Sequence, residues 1–211
     1  MPTELGPARA HVRTPPGVLL GRLVLGHGAG GGIGAADLTA ARTAAVGVGW
    51  QVVLVEQPWR VAGKRVAPAP ARLDIGWLAV LAALSDLAAA DRVQVPLVVG
   101  GRSAGARVAC RSAAQVGATG VCCLAFPLHP PGRPERSRAA ELAAPSTAGI
   151  SVLVVQGERD PFGGPAEITA LALPDVEVIG VPGDHSLAKT APAAASVAAA
   201  VLGGLSGWRQ E

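Results

Sequence analysis

Six short apolar runs recur along the chain, each closed by a loop of Gly, Pro or polar residues and most followed by a stretch with helical period. They are Val18 to Gly26, Trp50 to Glu56, Pro96 to Gly100, Gly120 to Phe126, Ile150 to Gln156 and Val176 to Val181. Runs this short and this continuously apolar suit strands covered on both faces. Between them, helices are expected at Ala36 to Ala45, Leu73 to Ala90, Ser103 to Gln115, a short stretch ending near Ala144, Ala166 to Leu173, and at the C-terminus. Leu73, Trp77, Val80, Leu81, Leu84 and Leu87 trace one face of the longest. Strands that alternate with helices are joined by right-handed crossovers, so the pattern predicts one mostly parallel sheet of about six strands with helices on both faces. A chain of 211 residues supplies one such domain. The expected division is a loose lead-in over 1–16, the α/β domain over 17–205 and a tail over 206–211.

Composition removes several classes of function. Lys plus Arg number 18 against 15 Asp plus Glu, without a basic run, and aromatics are 3% of the chain. Neither an electrostatic stripe nor a stacking surface for nucleic acid is present. The three cysteines, Cys110, Cys122 and Cys123, form no CxxC pair. Adjacent strand residues point to opposite faces, so they read as buried thiols of a reducing, cytoplasmic protein. Arg22 interrupts the first apolar run, and the uncharged stretch Thr190 to Trp208 is rich in small residues and contains Pro192, which suits a docked helix better than a membrane span. The histidines are far apart in sequence and no HExxH is present. No metal and no cofactor are expected.

The third run leads into Gly101-Arg102-Ser103-Ala104-Gly105. A Gly-x-Ser-x-Gly between a strand and a helix is the layout of a nucleophile elbow, in which a strained turn lifts a serine above the sheet edge. Ser103 is the candidate nucleophile. The first run ends in His27-Gly28-Ala29-Gly30-Gly31-Gly32-Ile33-Gly34. Gly26-x-Gly28-x-x-Gly31 fits a dinucleotide fingerprint and Gly28-x-x-x-Gly32-Ile33-Gly34 its short-chain dehydrogenase variant, with Glu56 placed as a ribose ligand, which would indicate an oxidoreductase. That reading fails on chemistry, because the matching dehydrogenase variant uses a catalytic Tyr and this chain has none. The better reading is an oxyanion loop, with Gly28 and Ala29 donating N–H groups alongside Ala104 and with His27 ordering the loop. Two later strands deliver Asp160 and His185. A histidine has the right ordinary pKa to take the Ser103 proton, and a carboxylate fixes its tautomer. Asp184 is the rival acid, but its side chain should diverge from that of its neighbour His185. Each residue also has a plain alternative: Ser103 as a helix cap, Asp160 as a turn former before Pro161, and His185 as a loop residue.

Taken together, Gly26-His27-Gly28-Ala29-Gly30, Gly100 to Gly105, Phe126-Pro127-Leu128-His129-Pro130-Pro131-Gly132, Gln156 to Gly163 and Gly183-Asp184-His185-Ser186 resemble the α/β-hydrolase superfamily. Within it the chain looks like the small dienelactone-hydrolase-like proteins of the testis-expressed and NSL-complex-subunit-like hydrolases. The resemblance implies a single-domain α/β-hydrolase fold with no cap domain, starting at what would be the third strand of larger members. It also implies a serine hydrolase scaffold carrying Ser103, Asp160 and His185. The expected reaction is cleavage of a small soluble ester, thioester or activated amide through an acyl-enzyme. The alternative is a catalytically idle scaffold used for binding. Trp59, Arg60 and His129, on loops that leave strand ends, are candidate substrate contacts. Arg60, Lys64, Arg65, Arg133, Arg136 and Arg138 outnumber Glu135 and Glu141 on those loops, which suits an anionic substrate.

Overall fold

The computed structural model describes residues 1–90 and 94–208. In chain order the elements are β1 (Arg9–Arg13), β2 (Gly21–Gly26), α1 (Ala36–Gly47), β3 (Trp50–Glu56), α2 (Pro58–Val61), α3 (Pro70–Ala90), β4 (Leu97–Arg102) and α4 (Ala104–Ser112). They continue with β5 (Gly120–Leu124), α5 (Ala139–Ala143), a 3-10 turn at Ser146–Ala148, β6 (Ser151–Gly157), α6 (Pro165–Thr169), β7 (Val176–Val181) and α7 (Ala191–Gly207). The sheet order is β1-β3-β2-β4-β5-β6-β7, with β2 to β7 all parallel.

The expected lead-in is therefore not loose. Residues Arg9–Arg13 pair antiparallel with β3, Arg9 opposite Glu56 and Arg13 opposite Val52, giving seven strands rather than about six and starting the sheet one strand early. This strand escapes a hydrophobic-period reading because it is an edge: four of its five residues are exposed, and its backbone covers the unpaired side of β3. The expected tail is also partly structured. Helix α7 runs to Gly207, and Trp208 packs on the core with its ring in the space a Cβ on Gly120 would occupy. Residues 209–211 lie outside the described residues.

The period of two in the strands divides the core. Val24, Val53, Val55, Val99, Val121, Cys123 and Val154 face α3 and α4, where Trp77, Val80, Leu84, Ala106 and Ala109 meet them. Leu23, Leu25, Val52, Leu54, Val98, Cys122, Leu124 and Val155 face α1 and α7, against Leu38, Ala41, Val197, Val201 and Leu205. Cys122 and Cys123 thus lie on opposite faces. Of the α3 stripe, Leu73, Trp77, Val80, Leu81 and Leu84 are buried, but Leu87, in the last turn of the helix, is 59% exposed. Among the described residues, no helix is long and apolar enough to cross a membrane.

From β2 the chain crosses outward to β3, then returns to the other side of β2 to lay down β4. The loops after β2 and β4 therefore diverge from adjacent strands, and the crevice between them is where an open α/β sheet accepts a ligand.

Candidate active site

Ser103 stands between β4 and α4 with φ 53° and ψ −110°. A non-glycine residue there costs about 1–3 kcal/mol and persists only if its surroundings hold it. Its N–H donates to the Leu124 carbonyl at 2.9 Å, and its own carbonyl accepts the Arg107 N–H at 3.2 Å. The flanking glycines permit the approach. A Cβ on Gly101, where φ is +155°, or on Gly105 would strike the main-chain carbonyl of Gly26 at the end of β2.

The loop after β7 lays His185 beside the elbow. His185 Nε2 lies 2.8 Å from Ser103 Oγ, and His185 Nδ1 lies 2.8 Å from Asp160 Oδ2. The Asp160 side chain is fully buried, and that of His185 is 17% exposed. Asp160 also accepts the Phe162 N–H at Oδ1 (2.9 Å) and a Gln156 Nε2 hydrogen at Oδ2 (3.0 Å). The Phe162 ring lies 4.2 Å from the imidazole, centroid to centroid. Asp184 points elsewhere: it accepts the Ser186 N–H and pairs with Lys189 at 2.8 Å. Its carboxyl is held below the ordinary value by the Lys189 hydrogen bond and the Ser186 amide.

On the other side of Ser103 lie the amides proposed for an oxyanion. Ala104 opens α4, so its N–H belongs to the first turn that a helix leaves without an internal partner. Ala29 lines the same cleft as Ser103 and Ala104. Gly28 does not line it; a Cβ there would stand 2.8 Å from Arg102 Nη1 and 3.4 Å from Ser103 Cβ. His27 is buried, with Nδ1 2.9 Å from the Gly28 carbonyl and Nε2 accepting the Gln57 N–H at 3.2 Å. Burial holds its pKa below the ordinary 6.5, so the neutral tautomer donates from Nδ1. Because a trans peptide turns C=O and N–H in opposite directions, tying the Gly28 carbonyl to His27 turns the Ala29 N–H away from that ring.

The three proposed substrate contacts stand apart from the cleft. Trp59 is a core residue, edge-on to His27 at 5.4 Å, and Arg60 Nε would stand 3.7 Å from a Cβ on Gly32. His129 is bound at Nδ1 to the Pro130 carbonyl (3.0 Å) and at Nε2 to Glu167 (3.0 Å), while its N–H donates to Phe162 O. It braces the loop that carries Asp160. The expected basic rim contracts as well, since of its six cations only Arg138 lines the cleft. Glu56, the would-be ribose ligand, faces β1 instead, 3.5 Å from Arg9 and 3.6 Å from His11.

Four contributors, Arg102, Asp37, Gln156 and Phe162, were not singled out from sequence. Arg102 joins the Gly-rich side to the histidine loop, binding buried Asp37 at 2.8 Å and donating to the His185 carbonyl at 2.9 Å. Burial pushes Asp37 above its ordinary 3.8 despite the Arg102 charge. Gln156 Nε2, whose two hydrogens are shared among three acceptors, lies 3.1 Å from the Phe126 carbonyl and 2.7 Å from the Gly163 carbonyl as well as beside Asp160, which holds that carboxylate in place. Phe162 could have been found as the residue two beyond Asp160, whereas nothing local marks Asp37 or Gln156.

The cleft has a volume of about 640 Å³ and is lined by Ser103, His185, Phe162, Pro127 and the small residues of the glycine loop. No group of residues able to hold a metal occurs among the described residues. The family model described as "Alpha/beta hydrolase domain" matches residues 20–201. No curated protein matches the chain. Among solved structures, an α/β serine hydrolase without lid from Xanthomonas campestris is 20% identical with a TM-score of 0.76, covering 100% of this chain and 93% of that one. An alpha-beta serine hydrolase homologue from Coxiella burnetii is 15% identical with a TM-score of 0.78, covering 97% and 95%. Est1E from Butyrivibrio proteoclasticus, solved with ferulic acid bound, is 16% identical with a TM-score of 0.71, covering 95% of each chain.

Proposed function

Because the chain belongs to the alpha/beta hydrolase domain family, we propose that it is a serine hydrolase opening a small soluble ester, thioester or activated amide through an acyl-enzyme. The observation that carries this reading is the pair of 2.8 Å contacts by which His185 bridges Ser103 and Asp160. Asp160 accepts Nδ1–H, which leaves Nε2 as the acceptor for the Ser103 proton. Ser103 Oγ then attacks the acyl carbon, and the developing negative charge is met by the N–H groups of Ala29 and Ala104. The His185 imidazolium returns its proton to the leaving group. Water, activated by the same imidazole, releases the acid. Only α5 and a single 3-10 turn occupy the segment between β5 and β6, so no insertion builds a long acyl tunnel and short substrates suit the open cleft. The Pro127 to Gly132 stretch supports placement among the dienelactone-hydrolase-like members, and the three free thiols suit the cytoplasm.

The test is labelling with a fluorophosphonate. Ser103 should be modified and no other serine, with loss of labelling in Ser103→Ala and His185→Ala. An unreactive Ser103 in folded protein would overturn the hydrolase and favour the idle scaffold.

A further inference from the structure

The cleft holding Ser103 carries more positive than negative charge, and the excess traces to one side chain. Arg102, Arg107, Arg138 and Lys189 line it. Three of them have carboxylate partners: Arg102 has Asp37, Lys189 has Asp184, and Arg107 grips Glu141 through two bonds of 2.6 and 2.8 Å. Arg138 makes no ion pair among the described residues. Its Nη1 donates to the Pro127 carbonyl at 2.9 Å, and no described acceptor meets its Nε–Nη2 edge. Glu141 cannot serve it, because Glu141 is shared by Arg107 and Arg111, and Arg111 takes Asp74 as well. Arg107 and Arg111 thus share the two carboxylates of Glu141 and Asp74, and Arg138 is left without one among the described residues.

The root of Arg138 is rigid. Its N–H donates to Leu128 O at 2.7 Å, and its carbonyl accepts the N–H groups of Glu141 and Leu142. Burial first, and then the neighbouring Arg107, push its pKa down against a smaller upward pull from the Glu141 charge. Arg107 in turn is one helical turn from Ser103, to whose carbonyl its N–H donates.

We propose that the Nε–Nη2 edge of Arg138 is an anion subsite that receives a carboxylate on the substrate, so that the compound cleaved at Ser103 carries a second, free carboxyl group. The statement about cleavage rests on the hydrolase reading; the subsite itself does not. One uncompensated charge and two parallel N–H donors match a planar monoanion. Nothing comparable is available to neutralise a dianionic phosphate.

Direct titration of Ser103→Ala, which cannot be acylated, with monophenyl glutarate and phenyl valerate tests the subsite. The two esters share an acyl length and differ in the terminal carboxylate. The glutarate should bind about tenfold more tightly, as a charge-assisted bond allows, with the advantage shrinking as salt rises. Adding Arg138→Gln should abolish the preference, while the main-chain bond from the residue 138 N–H to Leu128 O still ties the loop. Arg138→Lys, which keeps the charge without the planar edge, should weaken glutarate binding severalfold. Equal binding of the two esters, a preference that survives Arg138→Gln, or undiminished binding in Arg138→Lys would overturn the subsite. Tighter glutarate binding beside an unreactive wild-type Ser103 would remove the hydrolase and leave the subsite. Labelled Ser103 with equal binding would remove the subsite alone.

Discussion

Replacing Gly105 by alanine sets a helix preference against a close approach of main chains, and the magnitudes decide which wins. Gly105 lies in α4, where alanine is favoured over glycine by about 1 kcal/mol. The added Cβ, however, would stand 2.6 Å from Gly26 C and 3.0 Å from His27 O, and closer still to Gly26 O. Ordinary contact distances are about 3.5–4.0 Å, so β2 and the glycine loop must retreat by roughly 1 Å from α4. Every atom met is backbone, none the end of a flexible side chain. Overpacking of this kind costs about 1–3 kcal/mol, and a rigid neighbour places it at the upper end, leaving a net loss of about 1–2 kcal/mol. For a chain of this size each kcal/mol moves Tm by about 2–4 °C, so Gly105→Ala should lower Tm by about 3–6 °C. The retreating segment also presents the Ala29 amide, so fluorophosphonate labelling of Ser103 should slow by about tenfold or more. Gly203→Ala in α7 is the control: nothing lies within 4 Å of its Cβ, and the same helix preference should raise Tm by about 2–4 °C. A Gly105→Ala protein whose Tm rises alongside Gly203→Ala, with labelling intact, would refute the argument.

Asp160→Asn should reduce turnover by about 10⁴-fold without unfolding the chain, because an amide facing Nδ1 favours the tautomer whose Nε2 cannot accept the Ser103 proton; Asp184→Asn, altering an exposed group tied to Lys189, should change the rate little, and a reversed pattern in steady-state kinetics would reassign the acid. The His129–Glu167 contact predicts a pH signature. The Pro130 carbonyl, and then Glu167, raise the pKa of His129 above 6.5, so the folded state holds this proton more tightly than the unfolded. Its stabilisation is complete below pH 6.5 and fades as pH rises through the elevated value; thermal melts of His129→Gln should therefore diverge from wild type at pH 5.5 and converge at pH 9, and a constant difference would exclude the linkage.

Much of the sheet was legible because its strands are buried on both faces, and such strands announce themselves as apolar runs; β3 and β7 match their runs end to end. Strand β1 was not legible, since an edge strand satisfies its neighbour through backbone hydrogen bonds and requires little of its side chains. The candidate site divides along the same line. Ser103 is marked by Gly101 and Gly105, whose lack of a Cβ is a local necessity of the elbow, and Asp160 and His185 lie at the ends of apolar runs. Which acid meets the imidazole, however, depends on side-chain directions in two separate loops. Only the folded chain turns Asp160 toward Nδ1 and Asp184 toward Lys189.

By itself, then, the sequence determined the alternation of strands and helices, the parallel sheet they enforce and the strand end on which each polar group would sit, because hydrophobic period and glycine sterics act over a few neighbouring residues. The tertiary structure alone decided the partnerships that span long stretches of chain: Arg102 with Asp37, Gln156 with two separate carbonyls, Trp59 as core and Arg138 as the cleft cation that lacks a carboxylate among the described residues. Charge and hydrogen-bond pairing depend on distance in space. Sequence spacing carries that distance only within a turn or a single element, and these pairs lie beyond it.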